Sequence, residues 1–324
     1  MEVIYLSNYD IVYLGKKAEE LGFIRDTLEK VTRLADILEY LNTNPILKDS
    51  LALKGGTAIN LTILNLPRLS VDIDLDYLVT NSREEMLEIR NIINNTIDRY
   101  MGSQGYSKNP KTKNPHSLDS WVYDYHGASG NKDNIKIEIN YSLRSHVFEA
   151  EERPIITEHF SSEYKVKSLA PLEIYGSKIN ALLSRAAARD LYDTRNMIHF
   201  GVIHELEEEM LRKCVVFYAA ISARDKNSIN KTFDTAAIDL ITNQKIKRDL
   251  LPVIKRKDDF ELESAKKLVK EYITALMVLT KAEKEFLDKF ESGEYIPELL
   301  FGDKEIQDRI KSHPMALWKT REMK

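Results

Sequence analysis

Apolar residues fall at Ile24, Leu28, Val31, Ala35 and Leu38, the i, i+4, i+7 stripe of an amphipathic helix over Ile24–Leu41. Asn42–Asn44 and Pro45 end it. Leu51–Leu53 is a short apolar run closed by Lys54-Gly55-Gly56, and Thr57–Leu66 reads as a helix after the glycines, stopped before Pro67. From Leu69 to Val79 the period changes to two: Leu69, Val71, Ile73, Leu75 and Tyr77 alternate with Ser70, Asp72, Asp74 and Asp76, which predicts a strand. Ser82 and Glu85 form a capping-box signature for a helix through about Met101. Gly102–Asn134 is rich in Gly, Ser, Asn, Pro and Lys and reads mostly as loop, with one strand at Ser120–His126. Ile135, Ile137, Ile139 and Tyr141 alternate with Lys136, Glu138 and Asn140, a further strand.

After Pro171 the texture is helical, over Leu172–Ala188, Val202–Arg224 and Phe260–Phe290. The order predicts a helical lead-in over 1–50, a mixed core over 51–165 and a helical domain over 166–324, with no internal repeat.

Composition narrows the class. The chain has 324 residues, 43% of them apolar, enough to bury a sizeable core. A lone cysteine, Cys214, excludes a disulfide framework and Cys-based zinc knuckles, and fits a reducing cytoplasm. Set among Val215, Val216 and Phe217, it reads as core rather than nucleophile. The start, MEVIYLSNYD, lacks a basic stretch leading into an apolar core, so no signal peptide is expected. No apolar run is long enough to span a membrane, so no membrane role is expected. His199 and His204 stand five apart, the wrong spacing for a helical zinc pair, and neither a Gly-x-Ser-x-Gly nor a Walker A pattern occurs.

The net charge of −4 argues against electrostatic nucleic-acid binding by the chain as a whole. Residues 1–164 carry 18 Lys+Arg against 25 Asp+Glu, and residues 165–324 carry 29 against 26. That asymmetry fits an acidic, cation-binding front half, or merely two solvated surfaces. The densest basic cluster joins Lys245–Arg248 to Lys255-Arg256-Lys257, six cations in thirteen positions. It is either a solvated linker or a docking patch for RNA.

The candidate chemistry lies in the carboxylates. A strand sends Asp72, Asp74 and Asp76 to one face, where like charges repel. Hard divalent cations offset that repulsion, and two ions about 4 Å apart can activate a hydroxyl and stabilise a leaving pyrophosphate. Glu138, the acid of the strand Ile135–Tyr141, is the candidate third ligand. The competing explanation is an exposed edge strand with polar outer positions. Gly55-Gly56-Thr57 between strand and helix allows backbone N–H groups to approach a phosphate. The combination, with Asp72 sixteen positions after Gly56, points to a metal-dependent nucleotidyltransferase.

These residues resemble a known family. Lys54-Gly55-Gly56-Thr57-Ala58 followed by Arg68-Leu69-Ser70-Val71-Asp72-Ile73-Asp74-Leu75 is similar to the signature of the AbiEii/AbiGii toxins, a branch of the DNA polymerase β-like nucleotidyltransferases. Phe23-Ile24-Arg25-Asp26 and Leu28-Glu29-Lys30 resemble its lead-in helix, and Lys136-Ile137-Glu138-Ile139-Asn140 its third-carboxylate strand. Glu173 to Lys178, Ala181, Arg185 and Arg189-Asp190-Leu191-Tyr192-Asp193 resemble its later motifs, and His313-Pro314 to Trp318-Lys319 its ending. The wider superfamily often has Gly-Ser and a shorter gap; Gly-Gly and the longer gap here fit this branch.

The resemblance implies an α+β fold: a polymerase β-like core, a small mixed sheet with helices, plus a helical C-terminal lobe. It implies transfer of a nucleoside monophosphate from an NTP, with Mg²⁺ or Mn²⁺ on Asp72, Asp74 and Glu138. Nucleotide contacts would come from Gly55, Gly56, Thr57, Arg68, Ser70, Lys178 and Arg185, with Lys178 and Asp190 also catalytic. Asp193 is an alternative to Asp190. Biologically, it implies the toxin of a type IV toxin–antitoxin system with a tRNA 3′ end as acceptor. The partner would be a winged-helix antitoxin, whether or not it binds stably. Other acceptors, an antibiotic hydroxyl or a protein Ser or Tyr, stay open, as does a binding module without activity. In one continuous helix over Glu173–Asn196, Lys178, Arg185 and Arg189 would fall within about 40° of one another, a triphosphate clamp or a solvated basic face. A break near Arg189-Asp190, with Asp190 capping a second helix, is the alternative.

Overall fold

The structure, a computed structural model, describes residues 9–156, 164–225 and 228–323. The start of the chain read above for a signal peptide lies largely outside them. Two units divide the chain. The first comprises Met1–Tyr141, Glu152–Lys167 and Leu251–Asp258; the second comprises Ser142–Glu151, Ser168–Leu250 and Asp259–Lys324.

In the first unit, helices α1 (Ile11–Leu21), α2 (Arg25–Thr43) and α3 (Pro45–Ser50) lead into strand β1 (Leu51–Lys54). The α2 stripe is buried at Leu28, Val31, Leu34, Ile37, Leu38 and Leu41, as its period predicts. Asn44 ends α2 and caps α3, accepting from Ile46 N at 3.1 Å and Leu47 N at 3.3 Å. Helix α4 (Gly55–Ala58) begins on the first glycine itself and runs into a π-helical turn, Ile59–Ile63. The expected helix over Thr57–Leu66 therefore starts two residues early and stops three early. Helix α5 (Arg83–Ser103) carries the anticipated reciprocal cap: Glu85 N donates to Ser82 Oγ and Ser82 N to Glu85 Oε2.

The described strands form a seven-stranded mixed sheet, ordered β3-β4-β5-β2-β1-β7-β6. They are β2 (Asp72–Tyr77), β3 (Ser107–Lys108), β4 (Leu118–His126), β5 (Lys132–Asn140), β6 (Glu151–Pro154) and β7 (Lys165–Ser168). The central pair, β2 with β5, is parallel, and β1 and β4 flank it antiparallel. Ile73, Leu75 and Tyr77 bury one face of β2 alongside Ile137 and Ile139.

Two expectations change. The strand expected over Leu69–Val79 begins only at Asp72. Leu69 N instead donates to Val253 O at 2.7 Å, and Arg68 bridges Ile254, so the chain segment returning at 251–258 takes those backbone groups. Leu69 is fully buried there, and alternation reports burial rather than ladder pairing. Within Gly102–Asn134 the strand expected at Ser120–His126 is present as β4, beginning two residues earlier with Trp121, Tyr123 and Tyr125 buried; what changes is that β3 and the first residues of β5 also fall in the stretch read as loop.

The described helices of the second unit are α6 (Pro171–Arg185), α7 (Ala188–His199), α8 (Glu208–Ser222), α9 (Ala236–Asp239), α10 (Asn243–Asp249), α11 (Leu262–Leu276), α12 (Lys281–Glu291), α13 (Lys304–Ile310) and α14 (Pro314–Glu322). The run Phe260–Phe290 is two helices, since Thr280 with Glu283 starts a new one by a capping box. Helices α6 and α8 approach closely. A Cβ on Gly176 would stand 2.5 Å from Cys214 Cβ. Burial pushes the Cys214 thiol well up, consistent with core rather than nucleophile.

Candidate active site

The sheet puts the acidic residues on one face. In antiparallel register Lys54 lies opposite Asp74; in parallel register Asp72, Asp74 and Asp76 lie beside Lys136, Glu138 and Asn140. In-register neighbours share a face. Glu138 therefore stands next to Asp74, where the sequence placed a third carboxylate. The strand is longer than expected and includes a second acid, Asp133, which lies beyond the pairing with β2 and is half-buried.

The four carboxylates differ. Asp76 is 1% exposed and is ion-paired to Lys54. Asp72 and Asp74 are half-buried. Glu138 pairs with Lys136 Nζ at 2.8 Å. Burial alone would lower the Lys136 pKa, but Glu138, Asp72 and Asp74 together raise it. Counting Lys54, Lys136 and the four acids, the face carries two positive and four negative charges, a formal −2.

The glycines are shaped by the same face. Gly55 has φ +68°, and a Cβ there would stand 2.8 Å from Asp74 Oδ2. A Cβ on Gly56 would stand 2.6 Å from Arg68 Nη2 and 2.9 Å from Ser70 Oγ. Only glycine permits both approaches. Thr57 is buried; its hydroxyl lies 2.9 Å from Ser70 Oγ and also bonds Asp72 O. Arg68 is buried too, donating through Nη1 to Leu69 O at 2.9 Å. Asn60 closes the set: its amide donates to Gly56 O at 2.8 Å and accepts from Arg68 N at 3.2 Å. The structure thus brings together Gly55, Gly56, Thr57, Arg68, Ser70, Asp72, Asp74 and Glu138.

Aspartate and glutamate oxygens are the donors that Mg²⁺ or Mn²⁺ prefers, and their placement on adjacent strands suits one cation. Among the described residues no three His, Cys, Asp or Glu side chains are drawn together as a ready-made metal site. At Glu138 the carboxylate is paired with Lys136.

Lys178, Arg185 and Asp190 meet in the second unit. Helix α6 stops at Arg185 because Ala186 turns left-handed at φ +49°, and α7 begins at Ala188. The break falls earlier than a cap at Asp190 would require: Asp190 sits inside the first turn of α7 and Ala187 is the cap. Arg189 is removed from the Lys178/Arg185 stripe and donates to Asp249 O at 2.8 Å, so the three-cation clamp does not form. Lys178 Nζ lies 3.0 Å from both Asp190 Oδ1 and Asp193 Oδ2, and Arg185 Nε lies 2.7 Å from Asp190 Oδ2. Burial would raise the Asp190 pKa, but Lys178 and Arg185 outweigh it and hold the carboxyl below its usual range.

Sequence reasoning placed Lys54, Lys136 and Glu173 within motifs without giving them a role, and it did not single out Asn60. Glu173 accepts from Val147 N at 3.0 Å, Phe148 N at 3.2 Å and Tyr218 Oη at 2.7 Å, and faces His146 Nδ1 at 3.3 Å. Asn60 left one signal, a lone amide within the apolar run Ile59–Leu64.

The family profile described as "Nucleotidyl transferase AbiEii toxin, Type IV TA system" matches residues 36–291. The protein is a nucleotidyltransferase enzyme. More narrowly, it belongs to the AbiEii family of type IV toxin–antitoxin toxins. Among solved structures, MenT4, a nucleotidyltransferase toxin from Mycobacterium tuberculosis H37Rv, superposes with a TM-score of 0.61 at 15% identity, covering 94% of this chain and 98% of that one. It shares the fold. A second structure, an H. pylori protein assigned as a nucleotidyltransferase, has a TM-score of 0.46 at 17% identity, covering 76% and 94%. Comparison with curated proteins gave no match. The family implies an NTP substrate, a divalent metal and an antitoxin partner. No helix among the described residues is long and apolar enough to cross a membrane.

Proposed function

We propose that this toxin transfers a nucleoside monophosphate from an NTP to the 3′-hydroxyl of a tRNA. The observation that carries the reading is the parallel register that sets Glu138 beside Asp74, on the face that also bears Asp72 and abuts Gly55. The acceptor oxygen would attack the α-phosphorus, the α–β anhydride bond would break, and pyrophosphate would leave. No protein nucleophile is needed; positioning and charge neutralisation suffice. Asp72, Asp74 and Glu138 would hold Mg²⁺ or Mn²⁺, which when bound would supply positive charge to the phosphate oxygens.

Gly55 and Gly56 would offer backbone N–H groups to phosphate. Thr57, Arg68 and Ser70, bonded as described, would act by holding that turn against Asp72. The nucleotide role of Lys178 and Arg185 and the catalytic role of Asp190 rest on the family resemblance. A winged-helix antitoxin would be the partner, and the cytoplasm the site of action.

The test is incubation with each labelled NTP, Mg²⁺ and total cellular RNA. Label should appear on tRNA, and Asp72→Ala and Asp74→Ala should abolish it without changing the melting temperature. Label on a small molecule or a protein would replace the acceptor, and near wild-type transfer by either variant would sink the metal-site reading.

A further inference from the structure

Lys54 precedes the glycine turn and lies opposite Asp74, yet its ammonium goes to Asp76. Asp76 lies opposite Ala52, which has no group to offer it, and it is nearly sealed from water. An ionised carboxylate in that position is costly without a cation. Lys54 is the diagonal neighbour on the same face, a spacing within reach of a long side chain. Its own side chain is 25% exposed.

We infer that Lys54 is a positioning residue of the catalytic face: it pins Asp76 away from Asp72 and Asp74, so that the third acid of the strand stays out of the metal-binding set. The inference rests on the metal-site reading above. It separates three aspartates that are equivalent by strand period into two functions. Asp74 abuts the glycine turn and Asp72 is only half-buried, whereas Asp76 is buried and paired with Lys54. Lys54, though a cation beside a phosphate-binding turn, then makes no phosphate contact.

The test uses Lys54→Met, Lys54→Arg, Asp76→Leu and the double variant Lys54→Met/Asp76→Leu. Three readouts are taken: Mn²⁺ affinity of the nucleotide-free protein by calorimetry, melting temperature, and the kcat against KM split for transfer. Lys54→Met should lower the melting temperature and lower kcat with little change in KM for NTP. It should also bind Mn²⁺ alone about tenfold more tightly, because one positive charge near a divalent site is gone. Lys54→Arg should restore all three. The double variant buries no charge and should fold even where Lys54→Met does not. Its kcat and Mn²⁺ affinity should return to within about threefold of wild type, the mark of two residues acting as one coupled pair.

A double variant that melts like wild type but keeps the kcat defect of Lys54→Met would overturn the inference and place Lys54 on the nucleotide. Unchanged melting and Mn²⁺ affinity in Lys54→Met would overturn it as well. Asp74→Asn separates the two levels. If it keeps Mn²⁺ binding and transfer, the metal site itself has failed. If it loses both while the double variant is not rescued, only the role of Lys54 has failed.

Discussion

Gly55→Ala tests how tightly the turn and the carboxylate face are fitted. The substitution carries two penalties. At φ +68° an L-residue is strained by about 1–2 kcal/mol. The new Cβ also meets Asp74 Oδ2 at 2.8 Å, so the carboxylate must retreat by about half an ångström to reach ordinary contact. Together these should lower folding stability by about 1–3 kcal/mol, read from the urea midpoint. Transfer should fall further, by about 100-fold, because displacement on that scale at a proposed metal ligand removes alignment. Gly105 supplies the control: its φ is +80° and a Cβ there meets nothing within 4 Å. Gly105→Ala should cost about 1 kcal/mol and leave transfer unchanged. If Gly55→Ala loses stability like Gly105→Ala but keeps wild-type transfer, the close approach of the turn to Asp74 has no part in the reaction.

The buried cluster of the second unit predicts that Lys178→Met, which leaves Asp190 to the exposed Arg185 and takes one cation from Asp193, costs about 3–5 kcal/mol in urea unfolding. Arg185→Ala, whose side chain is 63% exposed, should cost less than about 1 kcal/mol; equal losses would refute the difference in burial. His313 is held neutral, with burial and the neighbouring His146 charge lowering its pKa to about 4. A depressed histidine contributes stability fully present above about pH 6.5 and lost as pH falls toward 4, by up to about 3 kcal/mol. His313 Nδ1 accepts from Ala316 N, a bond that protonation there would break, so His313→Asn should flatten the loss; an equally steep variant would assign it to other groups. Replacing Lys255, Arg256 and Lys257 with Gln should weaken RNA modification and flatten its salt dependence by about one log–log unit per lost phosphate contact. Nucleotide binding should hold, since the segment reaches Leu69 through the Val253 carbonyl; an unaltered slope removes this patch as the docking site.

What the sequence revealed follows from the range of each interaction. Period two exposed Asp72 and Asp74, and the Ser82/Glu85 cap and the α2 stripe were equally local. The pairing of Lys54 with Asp76 depends on the register of two strands, and no local pattern carries it. The same holds for Glu138: its strand was legible, but its place beside Asp74 needed the parallel pairing. The break at Ala186 was hidden because alanine is the strongest helix former, yet here it adopts a left-handed conformation that ends α6. The basic cluster read as one patch is divided: Lys245–Arg248 belongs to the helical unit and Lys255–Lys257 to the unit holding the carboxylates. A chain that returns to its first unit after some 80 residues leaves no trace in composition.

The buried ion pairs give both units a common logic. Asp76 with Lys54, Asp119 with Arg90, Glu29 with Arg33, and Asp190 with Lys178 each place a carboxylate that is nearly water-free beside a cation. Such pairs stabilise little relative to apolar residues of the same size, because desolvation offsets most of the attraction. They are costly to break singly, however, so the three that join separate elements fix where those elements sit, while Glu29 with Arg33 lies within α2, where Glu29 reaches another segment by accepting from Ala128 N at 2.9 Å. Arg90 shows this directly: beyond Asp119 it donates to the carbonyls of Pro115 and His116, tying α5 to the approach to β4. Lys54 does the same between β1 and β2, at the edge of the turn that carries Gly55. The cations therefore specify position more than they add stability, so at the proposed site substitutions on the carboxylate face should reduce transfer more than they reduce the free energy of folding.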